Sequence, residues 1–104
     1  MKDEVELSAG GIPLSLRPVF QEYDFGTLDA ERNRDLVIER TLNYGDRREA
    51  RWLFERYGTG AVAEWIRQRG ASQLTRRRFN CWQSLLDIRD FRRPRFWRQT
   101  AWPH

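Results

Sequence analysis

The sequence predicts an all-α fold, on three observations. Between residues 29 and 88, apolar side chains recur at helical spacing in four separate stretches. Glycines at 45, 58 and 70 close three of these stretches, and Asp46, Thr59 and Ser72 or Thr75 stand where N-caps are needed. At 104 residues the chain has the length of a single domain. The expectation is a compact four-helix domain over 29–88 whose carboxyl-terminal half is helix-turn-helix-like. An extended segment, 1–28, should pack on its core, and an extended basic and aromatic tail, 89–104, should follow it.

In the first segment, Gly10, Gly11, Pro13 and Pro18 interrupt any helix, and the alternation of Ile12, Leu14 and Leu16 predicts a short edge strand. Phe20, Tyr23 and Phe25 should lie on the helical core. The first helix is expected from Asp29 to about Asn43, with Val37, Ile38, Thr41 and Leu42 on one face. Gly45 should end it in the left-handed conformation. Asp46 with Glu49 three places on has the spacing of a capping box. The helix it opens carries the clearest stripe in the chain, Ala50, Leu53, Phe54 and Tyr57.

Gly58 should stop that helix, and Thr59 should cap a third with Val62, Trp65 and Ile66, which Gly70 stops in turn. The last helix, from Ser72 or Thr75 to about Ile88, carries Phe79, Trp82, Leu85 and Leu86. Trp52, Trp65 and Trp82 fall at or beside these stripes and read as packing residues. Cys81, the only cysteine, rules out an internal disulfide and is expected to be a small buried side chain.

Charge is uneven along the chain. Residues 1–46 hold 5 bases and 10 acids, whereas residues 47–104 hold 14 bases and 5 acids. The amino terminus MKDEVELSAGG lacks the order of a signal peptide, and no apolar run reaches the length of a membrane span, so a cytoplasmic protein is expected. Neither a catalytic constellation nor a metal or cofactor site is expected. Lys2 is the only lysine, His104 the only histidine, and no glycine-rich phosphate loop follows a strand.

The positive signals lie near the carboxyl terminus. Arg76, Arg77 and Arg78 fall in the first turn of the last helix, where unpaired N–H groups and the helix dipole already concentrate positive charge. A phosphate there would relieve the repulsion, which makes these three arginines candidate nucleic-acid contacts, with contact to an acidic protein or a plain solvated face as the alternatives. The stretch RDFRRPRFWRQTAWPH, 89–104, combines five arginines with two phenylalanines and two tryptophans. Arginine and tryptophan are enriched at interface hot spots, so Phe91, Arg92, Arg93, Arg95, Phe96, Trp97, Arg98 and Trp102 are the expected partner-binding residues. The same rings could instead fold back on the domain's own surface.

One further signal is the order of Tyr23-Asp24-Phe25, Leu28-Asp29, Arg34-Asp35-Leu36-Val37-Ile38-Glu39-Arg40, Gly45-Asp46, Trp52-Leu53-Phe54, Tyr57-Gly58 and Asn80 with Trp82. In these pieces the chain resembles a small bacterial domain family encoded next to AbiEii-type nucleotidyltransferase toxins. The resemblance spans about residues 20–88 and implies an antitoxin role; the leading expectation is a non-catalytic antitoxin that binds and neutralises such a toxin, to which the arginine-tipped helix adds DNA-binding autoregulation. A DNA-binding regulator without a toxin partner, or a structural interaction subunit, is the alternative reading.

Overall fold

The computed structural model describes residues 5–92. The fold is all-α: the described residues form helices and turns, with a single isolated bridge between Leu7 and Pro13. The chain divides into two units, Met1–Val62 and Ala63–His104.

In the first unit, residues 7–13 turn back on themselves, with the Ser8 N–H donating to Ile12 O (2.8 Å) and the Gly11 N–H to Ser8 O (3.0 Å). The expected edge strand is absent. Leu14–Phe20 is a 3₁₀ helix that contains Pro18. Ile12, Pro13, Leu16 and Phe20 are buried while Leu14 faces solvent, a pattern that breaks the two-residue alternation of a strand. A second short 3₁₀ turn, Phe25–Thr27, is capped by the Asp24 carboxylate, which accepts from the Gly26 N–H at 3.2 Å. Phe20 and Phe25 pack with ring centroids 5.8 Å apart, but Tyr23 is exposed.

Helix α1 is Arg34–Tyr44, five residues later than expected. Asp29 does behave as a cap, but of the turn before the helix: its Oδ1 accepts from the Glu31 and Arg32 N–H groups at 2.8 and 2.9 Å. Val37, Ile38, Thr41 and Leu42 are all buried, as their spacing requires. Gly45 is extended (φ −73°), not left-handed. Its role is close approach, because a Cβ there would stand 2.6 Å from the Thr41 carbonyl oxygen.

Helix α2, Arg47–Tyr57, starts from a complete capping box. The Glu49 N–H donates to Asp46 Oδ1 (2.9 Å) and the Asp46 N–H to Glu49 Oε1 (2.8 Å). The second Glu49 oxygen accepts from the Ser15 hydroxyl, so one buried carboxylate joins the 3₁₀ helix to α2. Helix α1 packs on both elements. Gly58 ends α2 at φ +93°, a conformation for which glycine is the natural residue.

Helix α3 is Thr59–Trp65, and the next residues continue without a break as a π turn, Ile66–Gly70, and a short helix α4, Ala71–Gln73. Gly70 is therefore not a helix stop. It is helical (φ −59°) and small because a Cβ would come within 3.0 Å of Phe79 Cδ1 and of Ile66 Cγ2. Leu74 is the extended link, and α5 is Arg76–Leu85 with Thr75 as its N-cap. In α5, Phe79 is buried and Trp82 and Leu86 are half-buried, but Leu85 is 69% exposed. Cys81 is exposed as well, contrary to expectation. At 100° per residue it lies about 200° round the helix from Phe79, on the solvent side.

Candidate nucleic-acid interface

The second unit brings a helix, a short turn and an arginine-tipped helix into succession. Residues 63–73 are helical, Leu74 and Thr75 are both extended, and α5 begins at Arg76. The turn is shorter than a helix stop at Gly70 and a cap at Thr75 would make it, because the helix runs on through Gly70 to Gln73. Leu74 is buried and anchors the link, while the Thr75 hydroxyl oxygen accepts from the Arg78 N–H at 3.2 Å. That bond satisfies one of the amino-terminal donors that a helix otherwise leaves open.

Arg76, Arg77 and Arg78 thus share the first turn of α5, as their sequence positions predicted. Arg76 and Arg77 are exposed and Arg78 is half-buried. Arg76 and Arg78 also have interactions within the chain. No acidic residue occurs anywhere in α5. Three cations at the positive end of a helix dipole raise its energy by a few tenths of a kcal/mol each. The arrangement is suited to an anion.

The far end of α5 is closed without glycine. Asp87 adopts φ +53°, the Asp87 N–H donates to Ser84 O (3.2 Å), and the Ile88 N–H donates to Gln83 O (2.9 Å). This pair of bonds is a Schellman motif with aspartate in the left-handed position. The buried Ile88 follows, and then Phe91, whose ring meets Phe79 edge-on at 4.9 Å. The Arg92 N–H donates to Arg67 O at 2.7 Å. Of the residues expected to bind a partner, Phe91 and Arg92 therefore contact their own unit. Arg93, Arg95, Phe96, Trp97, Arg98 and Trp102 lie outside the described residues.

Sequence reasoning passed over Arg67, which forms ion pairs with Glu64 (3.3 Å) and Asp90 (3.7 Å). The first of these pairs is an i,i+3 contact on the helix surface and was open to a spacing argument.

In the first unit Arg40 and Arg56 are tied to other segments. Arg40 donates to Val19 O and to both oxygens of Glu22, and its guanidinium stands 5.7 Å from the Tyr23 ring centroid. The Arg40 bond holds the Glu22 carboxyl below its ordinary pKa, and the partnership raises that of Arg40. Arg56 pairs with Glu31 at 2.7 Å and stands 5.1 Å from the Tyr57 ring centroid. The Tyr57 hydroxyl donates to Ala30 O at 2.6 Å, and burial pushes its pKa up to about 12. Ala30 and Arg34, more than twenty residues earlier in the chain, thus meet Tyr57, with the Arg34 guanidinium 5.8 Å from its ring centroid.

A cavity of about 240 Å³ in the same unit is lined by Val5, Glu6, Leu14, Ser15 and Arg48, and its one hydroxyl is committed to Glu49. Among the described residues, no three His, Cys, Asp or Glu side chains are grouped as metal ligands, and no helix is long and apolar enough to cross a membrane.

No curated protein and no solved structure matches the chain. Residues 15–66 match a family of unknown function, DUF6922, and that span covers α1, α2 and their contacts while stopping short of α5. Half of the chain lies within the match, and the protein belongs to that family.

Proposed function

We propose that this chain is a non-catalytic cytoplasmic regulator of the antitoxin type. It contacts DNA through the helix-turn-helix-like second unit and a nucleotidyltransferase-type toxin through its carboxyl-terminal residues. The observation that supports it best is the abrupt turn at Leu74 and Thr75 that leads into an acid-free helix tipped by Arg76, Arg77 and Arg78. Phosphate oxygens are the anions that such a tip takes on a duplex, and the exposed first turn of a second helix is where major-groove readers make contact. The toxin part draws on the resemblance to toxin-linked domains and on the arginine and tryptophan content of residues 93–104.

The test of DNA contact is the salt dependence of affinity. Replacing Arg76, Arg77 and Arg78 together with Gln should weaken binding to the promoter of the gene itself. It should also flatten the slope of log affinity against log salt by up to about three, at roughly 0.9 per phosphate contact. An unchanged slope would remove α5 from the interface. For the toxin, a chain ending at Arg92 keeps the Phe79–Phe91 contact and should lose toxin binding. Full-strength binding by that shortened chain would refute the tail's role.

A further inference from the structure

We infer that residues 88–92 are a strap that positions the arginine tip of α5, with the π turn as its receptor. The inference rests on the proposed DNA contact and deepens it. Phe79 directly follows the three arginines, so whatever fixes its ring fixes the turn that carries them. The ring is 1% exposed and is held from two sides. Gly70 offers it a gap where any Cβ would stand 3.0 Å from Cδ1, and Phe91 closes on it edge-on at 4.9 Å and 73°.

Phe91 is in turn secured by its chain neighbours. The Arg92 N–H donates to Arg67 O at 2.7 Å, Asp90 lies 3.7 Å from Arg67 Nε, and Ile88 is buried at 2% exposure. Arg67 belongs to the π turn Ile66–Gly70, where the usual i to i+4 ladder is interrupted and a helix carbonyl can accept a bond from outside the helix. The irregular turn, the missing Cβ at residue 70 and the returning strap all converge on Phe79. Phe91 and the Arg92 N–H are therefore positioning groups, not contacts for a partner.

The Arg92 N–H can be removed with the Phe91 side chain kept. Arg92→Pro lacks the donor and Arg92→Ala keeps it, and both lack the guanidinium, so the comparison reads the loss of the backbone bond together with the φ that proline fixes. The full-length proteins would be measured for affinity to a mixed-sequence DNA duplex at several salt concentrations, and for amide hydrogen exchange across α5. The proline protein should bind at least about fivefold more weakly than the alanine protein, the factor set by one ordinary hydrogen bond. Its salt slope should be the same, because no phosphate contact is removed. Exchange in α5 should be faster. Phe91→Ala should act alike and Phe91→Tyr should restore binding. Equal affinities, or a fall accompanied by a flatter slope, would overturn the strap. If no form of the protein binds the duplex, the DNA reading fails on its own. Exchange then decides the strap: faster exchange in the proline protein supports it, and unchanged exchange refutes it.

Discussion

Met1–Val62 holds nine bases and twelve acids, and Ala63–His104 holds ten bases and three acids. In the first unit the long-range ion pairs, Arg40 with Glu22 and Arg56 with Glu31, fasten the segments before α1 to α1 and α2. In the second, Arg67 pairs with Glu64 and with Asp90 of the strap, Arg89 pairs with Asp87, and three arginines crowd one acid-free helix tip. Charge matched across segments defines a tertiary structure, whereas charge of one sign gathered at a helix start raises the energy of that end and favours an anion. The family match follows the same division, covering 15–66 and leaving out α5.

If this contrast is right, tight backbone approaches in the first unit should be the least forgiving. Gly10→Ala should produce the largest loss of stability, about 3 kcal/mol, at the upper end for overpacking. The new Cβ would fall 1.9 Å from the Leu28 carbonyl oxygen and break the Ala30 N–H bond to Gly10 O. Urea unfolding measures it. Next comes Glu49→Ala, which removes half of the capping box and the acceptor for Ser15 and should cost about 2 kcal/mol.

Tyr57→Phe should cost about 1 kcal/mol by leaving Ala30 O without its donor. Tyr57 also predicts an alkaline limit. Its pKa is raised from 10.0 to about 12 on folding, so the stability it contributes is complete below pH 10 and is lost as pH rises through about 12. Glu22 and Asp29 act in the opposite direction. Both carboxyls are held below their ordinary values of 4.5 and 3.8, so their contribution is present above those values and is lost as pH falls through the depressed pKa. Thermal melts across pH would show both edges.

The smallest effects on stability belong to the second unit. Asp87→Gly should raise stability by about 0.5–1 kcal/mol, because glycine occupies the left-handed position of the Schellman motif without strain. Leu85→Gln should be silent within about 0.5 kcal/mol, as that side chain already faces water.

The division also explains which features could be read from the sequence. The Asp46–Glu49 box and the Thr75 cap were legible because both partners lie within one turn. The buried stripe of α1 followed from its period. Gly45 and Gly70 were misread because their purpose is a tertiary approach, to Thr41 O and to Phe79, and glycine looks the same whichever reason selects it. The 3₁₀ helix Leu14–Phe20 was hidden by its prolines, and Cys81 by a composition rule that ignored its angle to Phe79. At the site, the position of the three arginines was legible, but the π turn and the strap were not, since each depends on residues about twenty-five apart, Arg67 and Arg92.

The most direct test of the contrast is an amide NMR titration of the full-length protein with a DNA duplex. Shifts should concentrate at residues 75–79, while the amides of α1 and α2 stay in place. Shifts concentrated in α1 and α2, with residues 75–79 unmoved, would contradict the account.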